Sequence, residues 1–338
     1  MRRAIMFLTA IGLAGCKHEA LPTTEDAPRT SVTDTTDESA IRPSAQPSDS
    51  STGQPAKPAP AVIKLLEPGK KPRRALRWSR ALGLEERLTM RVDTEVDALI
   101  GVLNAKPAPR SVTLELTVRT NEALPEGTAA FSFTVDEIHA HHAASVPPKA
   151  RKNRDEAVAT MRGLQGSYRI DDLGAIQEVV IDLPADASRE LWSLSEDLEW
   201  ALRQLAAPFP EEPIGAGARW TIDRAVEQSG VNANEVSTLK ITKLKKQLIT
   251  LKTEVRQSAT PQTFRNPGSS MLVQLTEYNA EAAGKMTWDP TRLVPRSAEM
   301  SFTETKHVRY KVKRQPTTMI AVTRRKLTIP SPGGRARP

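Results

Sequence analysis

The chain has 338 residues, of which 48 are Lys or Arg and 40 are Asp or Glu, giving a formal net charge of +8. Its single cysteine, Cys16, excludes disulfides within the chain and a cysteine-ligated metal site. No apolar run approaches the roughly 20 residues that a helix needs to cross a bilayer, which excludes a polytopic helical membrane protein. The first element in chain order is an export signal over residues 1–15. Arg2 and Arg3 form its charged start, and Ala4 to Leu13 is apolar or small apart from Thr9.

Leu13-Ala14-Gly15-Cys16 follows. This run resembles the lipobox of bacterial lipoproteins, in which small residues admit a dedicated signal peptidase to the bond before an acylated cysteine. The resemblance implies that Cys16 becomes the first residue of the mature chain, with a diacylglyceryl thioether on sulfur and usually a third acyl chain on its amine. One acyl chain alone gives a membrane binding constant of only about 10⁴ M⁻¹, whereas two or more attach a protein stably. Cys16 is therefore expected to be an anchor and not a catalyst. Lys17 stands where the best-known sorting pathway uses aspartate for inner-membrane retention, so the resemblance implies the outer membrane, on its periplasmic or surface side.

Residues 17–60 contain seven prolines and thirteen serines or threonines, with few large apolar side chains. Such a segment cannot bury enough surface to offset its ordering entropy. The expectation is a lipidated cysteine and disordered tether over residues 16–71, with the 44 residues after Cys16 spanning about 35 to 40 Å as a flexible chain. The signal carries +2 and residues 17–60 carry −3, so of the total +8 the remainder of the chain holds +9. A basic exported domain suits anionic lipid headgroups or acidic envelope polymers as partners, and nucleic acid is not expected in that compartment.

From residue 72 to residue 330 the pattern is mainly that of strands. Leu88, Met90, Val92, Thr94 and Val96 alternate with polar residues, as do Val112, Leu114, Leu116 and Val118, and then Phe131, Phe133 and Val135. A period of two places each set on one face of a strand. A weaker helical pattern runs from Arg151 to Met161 and ends at Gly163. Asp171-Asp172-Leu173-Gly174 turns a hairpin between Tyr168 and Leu183.

A stronger helix is expected over residues 187–206, where Leu191, Leu194, Leu198, Ala201, Leu202 and Leu205 form an apolar stripe. Asp186 or Ser188 can cap its start, and Pro208 and Pro210 prevent continuation. At 100° per residue Trp200 falls nearly opposite the stripe, so burying it requires a second apolar contact. Further strands are expected at Glu235 to Leu244, Leu248 to Ser258, Met271 to Trp288, Leu293 to Arg314 and Thr318 to Ile329, with a tail over residues 331–338. Short turns between neighbours make them antiparallel. The fold class is thus mainly β (α+β), a large curved antiparallel sheet or half-barrel packed on one long amphipathic helix.

The order over residues 72–330, and the run Pro208 to Trp220 (PFPEEPIGAGARW), resembles exported bacterial lipoproteins of the LolA and LppX type, in which a bent sheet wraps helices. The resemblance implies a cleft for an apolar or amphiphilic molecule, and it brings no catalytic residue.

The residues themselves offer little reaction chemistry. His139 and His141 would share a strand face beside His142, but no third ligand is evident, and a solvated strand end explains them better than a metal site. Glu85-Glu86, Asp171-Asp172 and Glu211-Glu212 are neighbours that diverge on a strand or solvate a turn. Gly215-Ala216-Gly217 lacks the third glycine of a dinucleotide fingerprint, because Trp220 stands there. No catalytic residue, cofactor or metal ligand is expected, and Cys16 is the one assigned site, as a lipidation site.

One basic stretch stands out: His307, Arg309, Lys311 and Lys313 share a strand face, with Arg324, Arg325 and Lys326 on the next strand. Charge that keeps an edge strand from aggregating explains it better than a dedicated anion-binding surface. The expected function is a non-enzymatic, membrane-anchored envelope lipoprotein that binds an amphiphile between sheet and helix. The alternative is a structural or interaction module of the envelope that uses a basic surface.

Overall fold

The alternation in the sequence is realised as backbone pairing. A computed structural model describes residues 61–78, 82–123, 128–171, 173–265, 271–312 and 315–331. Cys16, the signal, residues 17–60, Lys313 and residues 332–338 lie outside the described residues.

In chain order the elements begin with β1 (Val62–Glu67), β2 (Glu85–Ile100), β3 (Leu103–Ala105), β4 (Arg110–Ala123), β5 (Ala129–Ala140) and helix α1 (Pro148–Met161). Next come β6 (Gln165–Ile170), β7 (Ile176–Ile181) and helix α2 (Arg189–Arg203). The remainder is strand: β8 (Arg219–Gln228), β9 (Val231–Lys245), β10 (Leu248–Ser258), β11 (Gln262–Arg265), β12 (Leu272–Trp288), β13 (Ser297–Val312) and β14 (Gln315–Ile329). The fourteen strands of the described residues join one sheet in the order β1-β8-β9-β10-β12-β13-β14-β2-β4-β5-β6-β7, with β3 beside β2 and β11 beside β12. Because β1 and β7 are left as edges, the sheet is open.

Register follows the apolar faces. Leu88, Met90 and Val92 of β2 lie opposite Leu116, Leu114 and Val112 of β4, and all six are buried. Across the next ladder Phe133 faces Val118, and Phe131 stacks on Tyr168 with ring centroids 5.0 Å apart. A one-residue slip would turn these side chains into water, so burial fixes the pairing.

Among the described residues two helices of near-equal length accompany the sheet. They have 14 and 15 residues and touch one another. The helix expected over residues 187–206 is α2, capped by Ser188, whose Oγ accepts the Leu191 N–H at 3.2 Å. Its leucine stripe is buried, and so is Trp200, against Phe302 at 5.7 Å. Helix α1 begins three residues before the sequence pattern, with Pro148 in the first turn, where a missing N–H costs nothing. Its apolar face is narrow, limited to Ala157, Val158 and Met161 with the stem of Arg154, which explains the weak periodicity.

The tether expectation needs a correction at its end. Residues 62–67, at the end of the span assigned to the tether and beyond the Pro/Ser/Thr-rich stretch 17–60, pair with β8 as edge strand β1, Leu65 opposite Trp220. No residue of β1 is fully buried, so its side chains give little of the alternation that betrays a strand. The strand read from Leu293 starts instead at Ser297. Leu293 and Val294 donate their N–H groups to the Glu86 carboxylate, at 3.2 and 3.4 Å, and not to a neighbouring strand.

The Pro208–Trp220 run is a core element. Phe209 and Trp220 are fully buried, Phe209 also meets Trp288 at 5.6 Å, and Trp288 lies 3.8 Å from Trp78 between ring centroids. Trp220 Nε1 donates to the Pro208 carbonyl at 2.9 Å. A Cβ at Gly215 would come within 2.0 Å of the Lys70 carbonyl oxygen, so only glycine fits where the run passes that backbone.

Candidate functional site

A layer of buried charge runs across the covered face of the sheet. Arg224 of β8 lies directly opposite Glu235 of β9, which lies opposite Gln257 of β10. Arg224 binds the Glu235 carboxylate at 2.7 Å, Gln257 Nε2 donates to it at 2.7 Å, and the Tyr278 hydroxyl donates to Gln257 Oε1 at 2.8 Å. On β13, Lys306 lies over the Tyr278 ring and binds Glu304 at 2.7 Å.

The layer ends on helix α2. Asp197, 2% exposed, receives Arg110 of β4 at 2.9 Å and Arg325 of β14 at 3.0 Å. Arg325 also lies 6.0 Å from the ring centroids of both Trp200 and Phe302.

Burial by itself would raise the Asp197 carboxyl, but the Arg110 and Arg325 guanidiniums outweigh it and hold it below the ordinary aspartate range. Burial likewise acts against Glu235, and Arg224 with the Gln257 and Ser237 hydrogen bonds brings it below the ordinary glutamate range. Glu196, beside Asp197, goes the other way: burial raises it, and Arg325 and Lys306 offset this only in part. Asp197 and Glu235 are engaged as fixed anions. Asp197 thereby ties helix to sheet, and both are poorly suited to proton transfer.

The basic stretch divides between the two faces. Pleating sends Arg325 inward, while Arg324 and Lys326 point outward and bind Asp97 and Glu299. On β13, His307 meets Glu277 at 3.3 Å, Arg309 and Lys311 are exposed, and Lys313 lies outside the described residues.

The histidines serve separate contacts. His141 Nε2 lies 2.8 Å from Thr113 Oγ1, His142 lies 2.7 Å from Asp155, and His139 is exposed. Burial lowers the His141 pKa, with the nearby Arg91 charge acting the same way. Among the described residues no group of three or more His, Cys, Asp or Glu is placed to hold a metal ion. The adjacent acids also separate: Glu86 binds Arg292, Asp171 accepts the Leu173 and Ala175 N–H groups of its turn, Glu211 and Glu212 are exposed, and Asp172 is outside the described residues.

At the opposite end of the strands from the β13–β14 turn, an open cleft of about 760 Å³ is bounded by Arg74, Lys245, Lys246, Gln247, Leu248 and Asp289. Arg74 donates to the Lys246 carbonyl. Lys245-Lys246-Gln247 reads in sequence only as a turn, because the partners Arg74 and Asp289 are distant along the chain.

The sequence alone could not reveal the Asp197, Arg110 and Arg325 cluster. Asp197 looks like one more polar helix residue, and Arg325 sits between two outward cations. The available signal was the placement of Trp200 off the leucine stripe, which required either a second apolar contact or an exposed indole. No described helix is long and apolar enough to cross a membrane. The chain matches no family model and no curated protein at a significant level.

Proposed function

We propose that this protein is a non-enzymatic cell-envelope lipoprotein, exported and anchored through acyl chains on Cys16, whose domain is an interaction module with a basic exterior. The observation that carries the domain's role is the partition of charge. Asp197, Glu235 and Glu304 are closed off inside by cations, while Arg309 and Lys311 stay exposed on the outer face of β13. The partner class is an anionic envelope lipid or polymer, because exposed cations attract such surfaces through a salt-screened field. The full chain carrying Cys16→Ala is expected to bind vesicles containing phosphatidylglycerol, to release them in high salt, and to ignore phosphatidylcholine. Equal binding to both vesicle types argues against the basic surface.

The cleft at Arg74 and Lys246 supports a second reading, in which the domain holds an amphiphile. Ligand sites commonly enclose about 300 to 1,000 Å³ and combine apolar walls with a few placed charges. Leu248 and the three cations supply both. A helix–sheet cleft is less favoured, since Trp200, Phe302 and the Asp197–Arg325 pair occupy the contact there. The half-barrel form of the sheet belongs to this reading. Native mass spectrometry of the purified chain is expected to detect a co-purifying amphiphile that is lost with Lys246→Glu, and its absence from the parent removes the carrier reading.

A further inference from the structure

The β2–β3 hairpin ends in an exposed aliphatic knob. Ile100 pairs with Leu103, leaving Gly101 and Val102 as a two-residue turn. Gly101 has φ 57° and Val102 is not in the left-handed region, the arrangement of a turn with glycine obligatory at its first central position. Nothing in that geometry asks for an apolar second residue, yet Val102 is 94% exposed, and Leu99 and Leu103 are 41% and 43% exposed. The knob is held firmly from behind: Gly101 N–H donates to the Thr318 carbonyl at 3.0 Å, and Leu99 lies opposite Ile320 of β14.

The surroundings are basic. Ile320 lies opposite His307 and Thr318 opposite Arg309, so Leu99, Ile320 and His307 form one row on the outer face, with Arg309 and Lys311 on the same face nearer the turn. Lys106, just after β3, lies beside Asp97, which also binds Arg324. An exposed aliphatic hairpin tip with cations nearby matches a bilayer with anionic headgroups, where buried CH₂ groups and Lys or Arg charges both contribute. A protein partner fits less well, because binding hot spots favour Trp, Tyr and Arg and under-represent Leu and Val.

We propose that the Leu99–Leu103 tip inserts into the interface of an anionic bilayer while Arg309 and Lys311 contact its headgroups. This rests on the basic-surface reading and adds a penetrating element to it. The full chain carrying Cys16→Ala is compared with the same chain also carrying Val102→Asp and Leu103→Asn, using phosphatidylglycerol–phosphatidylcholine vesicles. The paired change is expected to weaken binding about tenfold or more. The thermal midpoint is expected to fall only slightly, since Val102 is almost wholly exposed and Leu103 is 43% exposed. In a Val102→Trp variant, the extra indole emission is expected to be quenched by acyl-chain-brominated lipid.

Unchanged binding in the paired variant, with loss in Arg309→Glu and Lys311→Glu, overturns insertion and leaves the basic-surface reading standing. Failure of the Cys16→Ala chain to bind any anionic vesicle removes both. Self-association of the lipid-free chain that the paired change abolishes overturns insertion in favour of a second copy as occupant.

Discussion

Asp197 ties helix α2 to two strands of the sheet. It is buried with cations from two different strands, Arg110 and Arg325, and each pair is desolvated. Removing one member strands the others, and loss of a partner in a buried pair costs about 3 to 5 kcal/mol. Asp197→Ala is therefore expected to lower the urea midpoint by an amount of that order. Replacing the triad together, as Asp197→Leu, Arg110→Met and Arg325→Met, is expected to be near neutral or stabilising, because the desolvation penalty disappears with the charges. A triple variant as unstable as the single one would contradict this. The pH dependence has a defined sign. Asp197 and Glu235 are held below their ordinary values, so their contribution is complete above the unfolded carboxyl range, about pH 4, and is lost as pH falls through the still lower folded values. Glu196 is raised, so it costs stability above its unfolded value, and Glu196→Gln is expected to stabilise the domain at pH 7 but not at pH 3. Urea titrations at the two pH values check both statements.

At the scale of elements, side chains with an unambiguous period were legible and those settled by tertiary partners were not. β2, β4 and β5 could be read because Met90, Leu114 and Phe133 alternate strictly with polar residues and face a core. Helix α2 could be read from its leucine stripe and from Ser188, and Ser188→Ala is expected to cost about 1 kcal/mol in a denaturation experiment. β1 was not legible, since an edge strand with half-buried side chains carries no strong alternation. Three-residue β3 and four-residue β11 are too short to show a period. Residues 293–296 read as strand because Leu293 and Val294 are apolar and buried, whereas Glu86, more than 200 residues away in sequence, takes their amides. Gly215→Ala is expected to disturb the Pro208–Trp220 run more than any exposed change, because the new methyl group meets the Lys70 carbonyl. Near-ultraviolet circular dichroism from Trp220 and Trp288 should register the loss of packing.

Over the whole molecule, the 14-stranded open sheet carries its charge in two ways: compensated pairs are buried on the covered face, and on the outer face Arg309 and Lys311 stay exposed beside cations paired with Asp97 and Glu299. Composition located the basic excess in the domain, but only the pleat decides that Arg325 is structural while Arg324 and Lys326 face outward. The candidate site was therefore half legible: the outer cations of β13 were read from sequence, the buried triad and the Arg74 cleft were not. The compartment reading depends on residues 1–16, where the Arg2-Arg3 start, the apolar run and the Leu13-Ala14-Gly15-Cys16 box together carry the inference of a lipid anchor. It also decides which partners the outer cations and the hairpin tip can meet. The measurement that addresses it most directly is the intact mass of the protein isolated from the membrane fraction of its own cells. The expected species begins at Cys16 and carries a diacylglyceryl group with a further acyl chain. A chain that begins elsewhere, or one whose Cys16 thiol is unmodified, would contradict the account.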